Sequence, residues 1–309
     1  MARGGSRKPS ADTRQDDACR FAGQTVVVTA ETGEQRRRRE QQRRLFDGVA
    51  GRYDATRQGY PAEIVDAVCA TAGIGPGADV LEIGCGTGQL TRQLAGRAFN
   101  LTAIDIGPAM IEAARCNVTD PMAGFEVCSF EDFAGNGRFD LIVSATAFHW
   151  VDPAVGLAKA ARLLRPGGWL ALLSTTERYP EPLRTRLREL WQSYSRTAGW
   201  SDQPPWVSAL SETTLFGEPV EMRQASALRL PSRAILGLER TRATFLAYTE
   251  QDQAGFTADL TALLAASSHV GLIQETLLIM APSGRQPARR RGGEPGCVEW
   301  RYPSGRRWP

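Results

Sequence analysis

The sequence predicts an α/β protein built on a doubly wound, mostly parallel seven-stranded sheet, with a helical and aromatic insertion after the fifth strand. Three observations carry this expectation. Short apolar runs alternate with helical stretches between residues 79 and 174. A glycine-rich turn follows the first of these runs. The alternation changes after Thr176 before two further strand-like patterns appear. A chain of 309 residues that is 42% hydrophobic can bury one sizeable core with a smaller lid.

The elements can be taken in chain order. Residues 1–44 are rich in Gly, Ser, Arg and Asp, with only 25–30 resembling a strand, and read as a disordered basic leader. The arginines at 36–39 would form a charged, solvated helical approach to the apolar stripe Leu45, Phe46 and Val49. The main domain is expected over 45–282, with 177–219 as a lid insertion. A Pro-, Gly- and Arg-dense tail at 283–309 is read as disordered. Buried strands are expected at 79–83, 101–105, 125–128, 141–144 and 169–174, and helices at 89–95, 108–117 and 153–164. Asp152-Pro153 is a good helix start, a capping residue with proline at the first helical position, and Arg165-Pro166-Gly167-Gly168 marks a stop and turn. Beyond Thr176 the pattern gives a charged amphipathic helix at 182–197 and an aromatic, proline-rich loop at 200–206. It continues with a strand at 220–230, helices at 233–248 and 257–266, and a last strand at 271–280. Trp191, Tyr194, Trp200 and Trp206 in the insertion suit either an aromatic wall against an apolar ligand or ordinary lid packing.

Charge and cysteine use exclude several function classes. The formal charge of +3 divides into +5 on residues 1–44, +5 on 283–309 and −7 on the body between them. A body of that sign argues against broad phosphate-backbone binding. The six cysteines are scattered without a Cys-x-x-Cys pair, and there are two histidines, so neither a disulfide framework nor a metal site is expected. No apolar run approaches the roughly 20 residues of a membrane span, and the polar start has no signal-peptide core, so a cytoplasmic location with no membrane partner is expected. The oligomeric state is not legible.

The chemistry concentrates at Val80-Leu81-Glu82-Ile83-Gly84-Cys85-Gly86-Thr87-Gly88-Gln89-Leu90, a buried strand running into a glycine turn. Bare glycines let the backbone turn sharply and approach a ligand. A dinucleotide fingerprint, G-x-G-x-x-G, would need glycine where this chain has Gln89. Asp105 ends the next strand, where a carboxylate can accept hydrogen bonds from both hydroxyls of a ribose. A nucleoside without a pyrophosphate is the better match, which counts against the rival reading of an NAD-dependent oxidoreductase.

At these residues the chain resembles the class I S-adenosylmethionine-dependent methyltransferases, in particular the small-molecule branch that includes trans-aconitate methyltransferase, over roughly 45–281. The marks are the glycine motif, Asp105 with Met110, Phe139-Asp140-Leu141-Ile142, Phe148-His149-Trp150 and Leu163-Leu164-Arg165-Pro166-Gly167-Gly168. The resemblance implies a Rossmann-like domain that binds S-adenosylmethionine through Glu82, Gly84, Cys85, Gly86, Gly88, Asp105, Ile106, Met110, Ser129, Phe130, Glu131 and Ser144. The family commonly has an Asp near the adenine amine, and here Ser129 or a displaced Glu131 stands in its place. Tyr53, Arg57 and Tyr60, in a segment that folds over the cofactor in that branch, join Phe148 and Trp150 as candidates for contact with the methionine carboxylate or the substrate, against surface and packing roles. His149 is the candidate catalytic base, its alternatives being substrate binding or packing beside Trp150. A carboxylate acceptor needs no base. The implied acceptor is a small molecule, a carboxylate or hydroxyl oxygen being favoured.

Two other classes of protein share part of this pattern. Ser144-Ala145-Thr146-Ala147-Phe148-His149-Trp150 lacks the Asp/Asn-Pro-Pro-aromatic motif of amino-methylating DNA enzymes, and no Pro-Cys nucleophile motif replaces it. A non-catalytic protein that binds the cofactor has the same residues.

Overall fold

The computed structural model describes residues 40–284 except 42, 195–203 and 205. The strand-like run at 25–30, most of the leader, the tail from 285 and Trp200 lie outside the described residues. A 3-10 turn, Asp47–Val49, leads into helices α1 (Ala50–Thr56) and α2 (Ala62–Ala72). The alternating region follows as β1 (Asp79–Ile83), α3 (Thr91–Leu94), β2 (Asn100–Asp105), α4 (Pro108–Asn117), β3 (Ala123–Val127), β4 (Phe139–Ala145), α5 (Pro153–Leu163) and β5 (Leu164–Arg178). The chain continues with α6 (Leu183–Tyr194), α7 (Trp206–Glu212), β6 (Val220–Pro231), α8 (Ser232–Glu239), α9 (Ala243–Leu246), α10 (Glu250–Leu264) and β7 (His269–Pro282).

One sheet holds the seven strands in the order β3-β2-β1-β4-β5-β7-β6. The strands β1 to β5 pair in parallel, and β7 runs antiparallel to both of its neighbours. Central strands are apolar on both faces because helices cover both. Alternate residues point to opposite sides: Leu81, Ile142, Leu170 and Leu172 join α5 and α7 in one core, while Val80, Leu141, Val143 and Ala171 join α2 in the other. The Asp152 carboxylate caps α5 by accepting from the Ala154 N–H at 3.0 Å, with Pro153 at the first helical position as the sequence predicts. Far from the carboxyl edge, Arg165 pairs with both Asp79 and Asp140 and ties three neighbouring strands together. Among the described residues no helix is long and apolar enough to cross a membrane.

The insertion differs in composition from the expectation. β5 and β7 are 15 and 14 residues long, and their outer ends, with that of β6, project past the parallel strands to carry a helical cap. That cap draws on two segments, α6 after β5 and α8 to α10 between β6 and β7, packed around Trp191, Phe245, Phe256 and Leu260. Trp191 and Phe256 stack with ring centroids 4.4 Å apart, and Tyr194 and Tyr248 surround them. Trp206 belongs to the main core, 1% exposed at the start of α7, because Trp206 and Leu210 stand one helical turn apart and face α5. The expected helix over 233–248 is broken at residues 240–242, where the Thr241 hydroxyl turns back to donate to the Leu238 carbonyl at 2.8 Å.

A buried carboxylate organises the cap. Glu239 accepts from Arg242 at 2.7 and 3.0 Å, from the Tyr179 hydroxyl at 2.7 Å and from the Trp191 indole N–H at 3.1 Å. Burial opposes its ionisation, but Arg242 and these donors outweigh it and hold the carboxyl below the usual range. Replacing Trp191 with Phe keeps the ring stack and removes one donor. It should cost about 1.5–3 kcal/mol of stability in urea unfolding, the range for a hydrogen bond to a charged group. An unchanged midpoint would show that the indole N–H contributes nothing.

Candidate functional site

The chain after β1 turns to β2 on one side of the sheet, while β4 continues to β5 on the other, so the carboxyl ends of β1 and β4 diverge and open a crevice. Ligands of open α/β sheets bind at such a switch point. The crevice encloses about 870 Å³ including its mouth. Its floor is the glycine turn. Gly84 has φ +69°, and a Cβ there would stand 2.3 Å from the Ala147 Cβ beyond the end of β4. The backbone donors of the turn are largely used within the protein: Gly84 and Cys85 donate to the Ile104 carbonyl, Gly88 to the Cys85 carbonyl and Gly86 to Asp105. These N–H groups therefore form no phosphate cradle.

Two acidic side chains face this space. Asp105 accepts the Gly86 N–H on one oxygen and the Gly107 N–H on the other, each at 2.9 Å, leaving each oxygen a further acceptor site. Burial raises its carboxyl despite those two bonds. Glu82, 1% exposed, lines the cavity with Oε2 unpartnered. Burial pushes its carboxyl up to about 8, and the Asp105 charge adds to the rise. A buried oxygen without a donor is costly unless a ligand completes it.

The segment from Arg43 to Tyr60 roofs the cavity; the resemblance pointed to its Tyr53 to Tyr60 part, while the contribution of Arg43 and Phe46 was not expected. Arg43 lies in a helical stretch within the expected leader, yet it is 9% exposed, lines the cavity and makes a two-pronged pair with Glu131 at 2.9 and 3.2 Å. The leader boundary at 44 therefore cuts through a packed element. Asp47 accepts from the Ala109 N–H at 2.7 Å, capping α4 where Gly107 has no side chain to do so. Asp54 of α1 accepts from Thr87 and Asn117 at 2.9 Å each and fastens α1 to the glycine turn. Phe46 sits edge-on to both Tyr53 and Trp150, with centroids 6.1 and 5.9 Å away, and these three rings line the mouth. Asp47 and Asp54 were missed because a cap supplied from 60 residues away has no local spacing signal.

The sequence-selected residues divide into two groups. Glu82, Gly84, Cys85, Gly86, Asp105, Ile106, Met110, Ser129, Phe130, Tyr53, Tyr60 and Trp150 all line the cavity. Gly88 packs against Val118 and Ala114, Ser144 lies beneath and donates to the Ile83 carbonyl at 2.9 Å, Phe148 is buried in the core, and Glu131 is held by Arg43. His149 does not line the cavity. Its exposed ring stacks 5.0 Å from Trp150, and crowding, with the Arg43 charge second, holds it below the usual imidazole range. Solvent reaches that ring, which limits the first effect.

A second, smaller cavity adjoins the first and shares Tyr53, Tyr60, Gln89 and Thr146 with it. At the junction the Tyr60 and Thr146 hydroxyls are 3.2 Å apart. Thr146 has φ +54°, a left-handed conformation costing a threonine about 1–3 kcal/mol, which points to a position held by its surroundings. Beyond the junction lie Arg57, Glu177, Gln274 and leucines from β6, β7 and α8.

Fold and site together define a Rossmann-like sheet whose crevice has a glycine-turn floor, an acidic residue at the end of the second strand and an adjoining second cavity. Residues 81–172 match the methyltransferase domain family. The chain is 34% identical over 131 residues to an uncharacterized methyltransferase of Mycobacterium bovis, covering 42% of this chain and 52% of that protein. It is 33% identical over 129 residues to the malonyl-[acyl-carrier protein] O-methyltransferase of Hahella chejuensis, covering 40% and 46%. It is 37% identical over 110 residues to a ubiquinone biosynthesis O-methyltransferase of Xanthomonas campestris, covering 34% and 46%. The chain thus spans about half the length of these curated relatives. Among solved structures, one from Anaeromyxobacter dehalogenans, assigned provisionally as a type II methyltransferase, shares the fold with a TM-score of 0.56 at 23% identity, over 74% of this chain and 97% of that one. The [4+2]-cyclase SpnF shares it with a TM-score of 0.51 at 14% identity, over 80% and 97%.

Proposed function

We propose that this chain is an S-adenosylmethionine-dependent methyltransferase that acts on an oxygen of a small molecule, as in the branch that includes trans-aconitate methyltransferase. The observation that carries the reading is Asp105 at the crevice, both oxygens still able to accept and aimed into a cavity whose floor offers no phosphate cradle. A nucleoside with a free ribose suits that arrangement, and the bare turn at Gly84 to Gly86 leaves room for a methionine chain. Glu82 supplies an unpartnered acceptor for a cationic group. S-adenosylmethionine supplies a methyl already activated on a sulfonium, so the protein's task is alignment and exclusion of water. Phe46, Tyr53 and Trp150 serve the second purpose. The assignment of Glu131 to adenine is weakened by its pairing with Arg43, which leaves Ser129 and Phe130 at that wall. Two of the relatives are named O-methyltransferases, which supports oxygen as the acceptor atom.

Fold alone does not fix chemistry, and a neighbour named a [4+2]-cyclase carries the same architecture. Calorimetry with S-adenosylhomocysteine and NAD, followed by transfer of labelled methyl to a panel of carboxylic acids, phenols and amines, tests both levels. S-adenosylhomocysteine is expected to bind more tightly than NAD, and Asp105→Ala to weaken it by about 1.5–3 kcal/mol. Tighter NAD binding would sink the reading. Cofactor binding without label transfer to any acceptor would favour the non-catalytic alternative.

A further inference from the structure

An unspent donor in the roof bears on how the base of the cofactor is held, an inference that rests on the methyltransferase reading. The strand order sets out where each part of the cofactor lies. β2 stands between β1 and β3, with Ala103 level with Glu82 on one side and Asp105 level with Val127 on the other. With the ribose on Asp105, the cationic amino-acid end belongs on the β1 side, at the open oxygen of Glu82. The base then lies on the β3 side, against Ser129 and Phe130, which line the crevice just beyond that strand.

Arg43 comes down from the roof on this side. Its pair with Glu131 is end-on: Nη1 and Nη2 each donate to a different carboxylate oxygen, at 3.2 and 2.9 Å. The two side chains are 8% and 12% exposed, so the pair fixes the guanidinium in place. End-on pairing spends the Nη groups and leaves the Nε–H on the edge of the guanidinium. That Nε is buried and has no partner, and the side chain that carries it lines the crevice. Leaving a buried donor of a charged group unmade is costly unless a ligand completes it. Other polar groups nearby are engaged. The Ser129 hydroxyl donates to the Asp132 carboxylate at 2.7 Å and accepts from the Asp132 N–H at 3.0 Å, and both Glu131 oxygens accept from Arg43.

Adenine offers the acceptor that this donor lacks. Its exocyclic amine donates, but its ring nitrogens present lone pairs in the plane of the base. We infer that Arg43 determines specificity for the base of the cofactor: its Nε–H donates to a ring nitrogen of adenine, with Glu131 as the positioning residue that holds the guanidinium. Arg43 belongs to the roof and Glu131 to the edge of the sheet, so the base and Glu131 together hold the roof down.

The test titrates the full chain calorimetrically with S-adenosylhomocysteine and with its 1-deaza, 3-deaza and 7-deaza forms, in each of which a C–H replaces one ring nitrogen. The wild type should bind at least one of the three about 10-fold or more weakly than the parent, the lower bound for losing a hydrogen bond from a charged group. Arg43→Lys keeps a cation beside Glu131 but has no Nε–H donor. It should lower affinity for the parent by a similar factor and leave the affected analogue unchanged, so that the ratio between them falls to about one. Arg43→Met should also bring that ratio to about one. An Arg43 that only pinned the roof to Glu131 would instead weaken all four ligands by one factor and leave their ratios as in the wild type. Equal binding of the four ligands to the wild type overturns the inference without any variant, whether or not the variants fold. Discrimination that survives both substitutions also overturns it, because another group then reads that nitrogen. Failure of the wild type to bind S-adenosylhomocysteine at all overturns the methyltransferase reading, and this inference with it. Binding without discrimination among the four defeats this inference alone.

Discussion

Gly84→Ala is expected to destabilise the fold by about 2–6 kcal/mol, combining the strain of a left-handed alanine with overpacking at a closed site. Gly84 has φ +69°, and the added methyl would meet the Ala147 Cβ at 2.3 Å, well inside contact distance. Ala147 is no flexible side-chain end that can swing away. Relief therefore requires the ends of β1 and β4 to separate, and these ends form the crevice. Urea unfolding should show the loss of stability, and calorimetry should show S-adenosylhomocysteine affinity falling with it. A second substitution separates the two contributions. Ala147→Gly removes the clashing atom, so Gly84→Ala with Ala147→Gly should recover the overpacking share and leave the backbone strain. An additive double mutant would mean that the two positions do not touch.

Glu82→Gln should reshape the dependence of stability on pH. The folded-state carboxyl titrates at about 8 against an ordinary 4.5. Between these values the native state holds a proton that the unfolded chain has lost, so the wild type loses stability as pH rises, by about 1.4 kcal/mol per unit. The stabilising share is complete below pH 4.5 and gone above 8, roughly 4–5 kcal/mol in all. Glutamine keeps a neutral polar side chain at every pH. The variant should therefore match the wild type near pH 4.5 and exceed it increasingly toward pH 8, with part of the gain arising because Asp105 loses a charged neighbour. Ligand should reverse the advantage. If the Glu82 oxygen receives a cationic group of S-adenosylmethionine, binding at pH 7 should release close to one proton from the wild type and none from the variant. Calorimetry in two buffers of different ionisation enthalpy reads this directly. A pH-independent stability difference between the two proteins would show that Glu82 is ionised throughout.

Much of the scaffold was legible because its signals are local. The runs at 79–83 and 141–144 are apolar on both faces, which only a sheet covered by helices on both sides can satisfy, and Asp152-Pro153 caps a helix through atoms two and three residues away. The helix at 233–248 shows where local reading stops. Its periodicity continues through residues 240–242, and the break depends on Thr241, whose hydroxyl accepts from Arg57 and donates to Leu238. Trp206 was assigned to a loop because prolines precede it; its partners on α5 are some 50 residues upstream.

The site divides in the same way. The sequence by itself determined the floor of the crevice. The glycine turn, Glu82 and Asp105 are set by a strand-turn-helix spacing of a few residues, because a ligand that touches bare backbone constrains the chain locally. The resemblance pointed to Tyr53 and Tyr60 over the site, and both line the cavity; only the tertiary structure decided the Arg43 to Asp47 part of the roof and the second cavity. Arg43 reaches Glu131 across 88 residues, Asp47 caps a helix that begins 61 residues later, and Arg57 is held by Thr241 across 184. It also moved His149 out of the cavity, since which way a residue points just beyond a strand is fixed by the packing of Phe148 and Val151 on either side of it. Contacts of this kind leave no period in the sequence, because the energy that selects them exists only once the sheet has brought distant segments together.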